Sequence, residues 1–302
     1  MDQSTEMSDF LRSRRARLRP EDVGLVHHGG RRRVPGLRRE ELAQLAGVSV
    51  AYYIRLEQGR GQNVSAEVLD AISDVLRLTP AERSHLADLA RPASRPRPAP
   101  RPPRLRPAVQ ALMDAMEVPA YVVGRRLDIL GGNRLARALL GDFAALPAGR
   151  RNTAWLVFLD PATRALYADW EEKASSVVAF LRRDVGRYPG DPELSALITE
   201  LSAESADFRR IWADHDVRDK DFGRKRLRHP VVGPLSLAYE TLTLPADPEQ
   251  QLVTYHAEPG TPSAAALRRL ARHAAEGDSA PEPGGFPERA GAAERREEAV
   301  SA

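Results

Sequence analysis

Between residues 40 and 59 the chain reads EELAQLAGVSVAYYIRLEQG, a run rich in side chains that can touch the edges of nucleobases. Arg55 carries a guanidinium able to donate two parallel hydrogen bonds to one pair of acceptors. Ser49 and Gln44 are donors suited to phosphate oxygens, and Val50 and Ala51 present methyl groups that match a thymine methyl. Tyr52, Ile54 and Gln58 belong to the same stretch, and Arg60, Gln62 and Asn63 follow it where a sugar-phosphate backbone would pass. Tyr52 is compatible with either a core or an exposed position, whereas the spacing of Tyr53 places it in the core. The chemistry these residues support is direct readout of double-stranded DNA.

Other chemistry finds less material. The 302 residues include no cysteine, which excludes disulfides, thiolate zinc sites, iron–sulfur clusters and thiol nucleophiles. Asp214, His215 and Asp216 are adjacent. However, the seven histidines are scattered, with none of the three-to-five spacing that zinc sites commonly use. Neither a glycine-rich phosphate loop nor a Gly-x-Ser-x-Gly elbow occurs. We therefore expect no enzyme activity, no metal and no cofactor.

The elements that must hold the candidate readers are short helices. Asp9 is expected to cap a first helix carrying Phe10, Leu11 and Leu18 and stopping at Pro20. A second helix is predicted over 38–46 and a third from Ser49 to just before Gly59. Ser65 opens a fourth, with Val68, Leu69, Ile72, Val75 and Leu76 as its apolar stripe. Thr79, Pro80 and Glu82 write a capping box for a fifth. Ala43 is small where the next helix must cross, Gly47 suits a positive φ, and Val48 fills the angle between the helices. Tyr53 and Leu56 face inward. This is the grammar of a helix-turn-helix, whose second helix fits a major groove about 12 Å wide.

Charge is distributed unevenly. Residues 1–107 hold 20 Arg, no Lys and 13 acids, while the remainder holds 25 basic and 29 acidic residues. A basic N-terminal third joined to a mildly acidic remainder fits a nucleic-acid reader attached to a second unit. Arg outnumbers Lys 42 to 3 along the whole chain, a bias better explained by a GC-rich genome than by binding. Residues 91–107 contain seven Pro and six Arg and are expected to form an extended spacer. The expected organisation is a helix-turn-helix unit over 8–90, the spacer, a second domain over 108–273, and a disordered tail over 274–302. No run of 18 apolar residues occurs and the N-terminus is polar, so a cytoplasmic chain without membrane insertion is expected.

The second domain reads as α+β. Helix is predicted over 108–116, strands over 120–123 and 127–130 around a 124–126 turn, and a helix over 134–140 opened by Asn133. Helical segments are expected over 155–158, 161–183, 192–205 and 208–214. Strands over 225–228, 234–244 and 251–257 and a last helix over 262–272 complete a small sheet packed on helices.

The run RRRVPGLRREELAQLAGVSVAYYIRLEQGR (31–60) resembles the MmyB-like transcriptional regulators, within the XRE-type, lambda-repressor-like helix-turn-helix class. FRRIWADHDVR (208–218), HPVVGPLSLAYE (229–240) and ETLTLPADPEQQLVTYHAEPGTPSAAALRRL (240–270) resemble the ligand-binding domain of the same family. One departure is Val64, where a proline is expected before the serine that caps the fourth helix. The resemblance implies a multidomain regulator: an all-α DNA-binding unit plus an α+β, PAS-like domain that senses a small apolar, fatty-acid-like ligand. It implies a one-component transcriptional regulator, and because a single helix-turn-helix module makes few contacts a homodimer is expected. The alternative is a helix-turn-helix regulator whose C-terminal domain only dimerises or binds a protein partner. The candidate ligand contacts are Tyr121, Ile129, Trp155, Phe158, Phe180, Trp212, His215 and Tyr239. A filled core and a pocket are both compatible with this pattern.

Overall fold

Side-chain caps start most of the helices, and the apolar stripes between the caps decide what each helix faces. The computed structural model describes residues 3–25, 36–60, 64–91, 104–215 and 222–278. Asn63, Asp216, residues 92–103 of the spacer and the tail beyond 278 lie outside the described residues.

The first unit is all-α: α1 (Gln3–Arg17), α2 (Arg39–Leu45), α3 (Val50–Glu57), α4 (Ala66–Val75) and α5 (Pro80–Ala90). Ser49 Oγ accepts from the Tyr52 N–H at 3.1 Å, and Ser65 Oγ accepts from Val68 at 3.4 Å. At α5 the Thr79 N–H donates to Glu82 Oε2 at 2.8 Å and the Glu82 N–H returns a bond to Thr79 Oγ1 at 3.3 Å. These bonds satisfy helix-end donors that would otherwise be orphaned. Phe10, Leu11, Leu42, Tyr53, Leu56, Ile72 and Leu86 form the buried core of the unit. Its first helix begins two turns earlier than Asp9 suggests. Met7 is drawn into that core and Glu6 is buried against the second domain, so the N-terminal turns pack and Asp9 ends up mid-helix.

The second domain contains α6 (Pro107–Asp114), β1 (Ala120–Val123), β2 (Ile129–Gly132), α7 (Arg134–Leu140), α8 (Thr153–Leu159), α9 (Pro161–Leu166) and α10 (Trp170–Arg187). It continues with α11 (Pro192–Glu204), α12 (Ala206–Ala213), β3 (Phe222–His229), β4 (Gly233–Leu244), β5 (Asp247–His256) and α13 (Pro262–Asp278). The five strands form one antiparallel sheet in the order β2-β1-β5-β4-β3, with β3 and β2 at its edges. Tyr121, Val123, Val253 and Tyr255 face the main core shared with α8, α10 and α12. Ala120, Val122 and Leu252 face a smaller cluster under α6. Both faces of β1 are therefore covered, and all four of its residues are buried. No helix among the described residues is long and apolar enough to cross a membrane.

Three differences from the sequence expectation have local causes. The expected 161–183 helix is two helices, because Tyr167 leaves helical geometry to bridge Leu227 and the Ala168 N–H donates to Arg226 O at 2.9 Å. Strand β2 begins at Ile129, two residues late, because Arg126 (φ 58°) and Leu127 (φ 65°) turn the chain in the left-handed region. Asp184 accepts the Arg126 N–H at 3.0 Å, and Asp128 and Asp191 pair with its guanidinium, holding that turn. The last helix runs on to Asp278, so residues 274–278 are helical rather than tail.

The two units share a seam in which α1 and α5 pack on α10. Arg182 of α10 is fully buried and pairs with Glu6 of α1. It also donates to the Trp212 carbonyl and meets His215 Nδ1 at 2.7 Å. Arg14 of α1 pairs with Glu82 at 2.8 Å and donates to the His215 carbonyl. His85 of α5 packs edge-on to Phe10 at 5.1 Å and against Gly186 of α10, where an added Cβ would come within 3.0 Å of its ring.

Burial, with Arg182, Arg14 and His215 nearby, pushes His85 down from its ordinary 6.5 to about 3. The folded chain therefore keeps His85 neutral while the unfolded chain binds a proton below about pH 6.5, so stability is lost as pH falls below that value. At about pH 5 the loss from His85 is roughly 2 kcal/mol. His215, lowered to about 4 by burial and Arg182, acts in the same direction. Glu6, raised by burial, acts in the opposite direction above the ordinary carboxylate range. Thermal melts should thus shift down between about pH 7 and pH 5, and His85→Leu should flatten that slope. An equal slope in the variant would remove His85 as its source.

Candidate functional site

Helix α3 is eight residues long, too short to be stable alone, so its neighbours must define where it points. The turn before it depends on Gly47 at φ +66°, which lets the Gly47 and Val48 N–H groups close back on Gln44 and Ala43 at 3.2 and 3.0 Å. Ala43 is fully buried beneath the crossing helix, and Val48 packs against the same core. Tyr53 and Leu56 point inward, and burial pushes the Tyr53 hydroxyl up. At the far end Gly59 (φ +71°) passes so close to Ser4 of α1 that an added Cβ would lie 2.3 Å from its carbonyl oxygen.

The strongest anchor is Glu57, on the inward side of α3 and 1% exposed. Its carboxylate takes Arg15 Nε of α1 at 2.8 Å and also pairs with Arg39 at the start of α2. Arg15 Nη1 in turn donates to the Leu37 carbonyl at 2.6 Å. One buried anion thus ties α3 to both helices that flank it. Sequence reasoning missed this residue. The available signal was a carboxylate next to inward-facing Leu56, with arginines upstream to neutralise it.

On the opposite side of α3, Ser49, Val50, Ala51, Arg55 and Gln58 are exposed, as are Gln44 on α2 and Arg60 after the helix. Tyr52 and Ile54 are half-buried. The Arg55 guanidinium lies 5.9 Å from the Tyr52 ring, so Tyr52 flanks the exposed row rather than entering the core. Of the eleven residues expected to read DNA, seven are exposed along α3 and its ends, with Tyr52 and Ile54 half-buried among them. The other two, Gln62 and Asn63, lie outside the described residues.

The eight expected ligand contacts are dispersed. Tyr121, Phe180 and Tyr239 line one cavity of about 100 Å³ between the sheet and α10. Phe158 and Ile129 are buried in the main core away from that cavity. Trp155 is at the surface of α8, donating to Glu200 Oε1 at 3.2 Å. Trp212 stacks on Phe208 with the Arg182 guanidinium 4.3 Å from its ring, and His215 lies in the seam between the units. These five do not share a site with the first three, because aromatic spacing along a helix marks its core face equally well.

Three cations line the cavity that sequence reasoning did not select: Lys173, Arg183 and Lys225. The chain has only three lysines, and two of them are here. Lysine differs from arginine in losing its charge readily when buried, so its placement in an arginine-biased chain was a usable signal. Burial, with Lys225 second, lowers Lys173 from 10.5 to about 7. Lys173 Nζ sits 5.4 Å from the Tyr167 ring, Lys225 Nζ is 5.1 Å from the Tyr239 ring, and Glu172 is 4.0 Å from Lys225. Tyr255 stacks parallel to Tyr121 at 6.3 Å on the same wall. Apolar walls ending in tyrosines and cations suit a ligand with a greasy body and an acidic end.

Two family models match the chain. One, described as a helix-turn-helix domain, covers residues 6–86; the other, described as the MmyB-like transcription regulator ligand binding domain, covers residues 105–270. No curated protein matches the chain at a significant level.

Two substitutions test the scaffold of α3. Gly47 has open space around its Cα, so Gly47→Val should lose about 2 kcal/mol from backbone strain alone, while Gly47→Asn should melt close to wild type. Glu57→Ala removes the carboxylate that neutralises Arg15 and Arg39 and should cost about 3 kcal/mol in a denaturant titration. A Gly47→Val melt equal to wild type would contradict the turn, and an unperturbed Glu57→Ala would contradict the anchor.

Proposed function

Because the chain belongs to the MmyB-like transcription regulators, DNA-binding proteins with a ligand-binding domain, we propose that α3 reads a specific operator while the cavity beside α10 receives an apolar acid. The carrying observation is the open strip from Gln44 to Arg60, held rigid by Glu57 from behind. In this reading α3 lies in the major groove with Ser49 at its entrance, and Arg55 reaches a guanine edge or a phosphate. Val50 and Ala51 contact thymine methyls, and Gln44 and Arg60 hold the backbone to either side.

One such module makes few contacts, so the working form is a homodimer on two half-sites about 34–36 Å apart. The C-terminal domain senses rather than catalyses, and the protein acts in the cytoplasm. The ligand is fatty-acid-like: its chain lies against Phe180 and its neighbours, and its carboxylate approaches Lys173, Arg183 and Lys225. Ligand and DNA are then linked through the population of the arrangement that fits the half-sites.

Selection of bound DNA from a random pool, with an exposed-face variant as control, tests the first half. Arg55→Ala should weaken binding to the selected operator by about 1–3 kcal/mol without changing the melt. Unchanged affinity would remove Arg55 from the reading face. Calorimetry with dodecanoate and dodecanol tests the second half. Dodecanoate should bind more tightly, and its affinity should fall as pH rises through about 7, where Lys173 loses its charge. Equal binding of the alcohol would eliminate the acidic head group.

A further inference from the structure

Helix α10 has two jobs on two faces. Phe180 and Arg183 face the cavity. Arg182 and Gly186 face the helix-turn-helix unit. These positions lie within two turns of one helix, at 1.5 Å of rise per residue, so the cavity wall and the seam share one element.

The seam is built to recognise one geometry. Arg182 is fully buried, and each of its contacts comes from a different element: Glu6 on α1, the carbonyl and ring of Trp212 on α12, and His215 just beyond α12. His215 itself holds a left-handed backbone, φ 49°, and its carbonyl accepts from Arg14 of α1. Apolar surfaces tolerate sliding. A buried guanidinium among fixed acceptors does not, because a small shift leaves a charge without its partner in a low-dielectric setting.

The cavity, at about 100 Å³, is smaller than the roughly 300–1,000 Å³ usual for small-molecule sites. An occupant larger than this either extends out of the mouth or displaces a wall. The wall formed by β1, β3, β4 and β5 is fixed by strand pairing along its length. The other wall is mainly α10, which meets the sheet through side chains such as Glu172 and Lys225 rather than through strand pairing.

We infer that Arg182 is the positioning residue through which the sensor domain sets the orientation of the DNA-reading unit, with cavity filling moving α10 and loosening the Arg182–Glu6 contact. This rests on the cavity being the ligand site but not on the identity of the ligand or the operator. The filled sensor then holds α1 and α5 less firmly, and α3 with them.

Hydrogen–deuterium exchange of the full chain, without ligand or DNA, tests the coupling. Ser176→Phe projects a ring into the cavity from α10, where the native hydroxyl bonds only within its own helix to Glu172 O at 2.8 Å. Exchange in α1 should rise on the order of tenfold, within the usual range of coupling between sites, while β4 and β5 stay protected. Arg182→Gln should raise α1 exchange by itself, and the double variant should rise no further. Should Ser176→Phe lose β4 protection, Thr241→Phe fills the same space from the sheet. Unchanged α1 exchange in a folded cavity-filled variant, or additive effects in the double variant, would overturn the inference. Failure of the wild type to select any DNA would count against the proposed function and leave this result standing.

Discussion

A carboxylate buried beneath α3 is the constraint on which the reading face depends. Glu57 is placed where an ionised group is costly unless it is fully paired, and Arg15 and Arg39 supply that pairing from α1 and α2. The eight residues of α3 gain a fixed pose in return. The opposite face can then be spent wholly on exposed Ser49, Val50, Ala51 and Arg55, side chains that contribute nothing to the core. Gly47 and Gly59 set the two ends of the helix by backbone geometry, so pairing and turn chemistry agree on one orientation.

The second domain applies the same economy of charge differently. Where Glu57 is satisfied on both sides, Lys173 and Lys225 face a cavity, and Lys173 stands close to losing its proton at neutral pH. The wall opposite Lys173 includes β1, which is covered on both faces.

Much of this was legible in the amino-acid order. Ser49, Ser65, Thr79 and Asn133 each cap the helix that their position suggests, since a cap is a local bond between near neighbours. Ala43, Gly47, Tyr53 and Leu56 also sit as their spacing implies. What escaped depends on distant partners. Glu6 extends α1 because Arg182 lies 176 positions away, and Tyr167 breaks a helix because Leu227 is there to pair with it. The ligand contacts escaped for a related reason: Trp155, Phe158 and Trp212 carry the periodicity of a helix face, which is the same for a face that meets core and a face that meets a void.

The sheet edges bear on how two copies could meet. Strand β3 presents Arg224, Arg226 and Arg228 on its exposed face, and Tyr167 already occupies part of its free rim. A row of cations repels an identical row, which discourages strand-by-strand addition and the fibrous growth it can seed. Strand β2, at the other rim, is only four residues long. Neither rim therefore offers a long, flat, uncharged strand to a second copy.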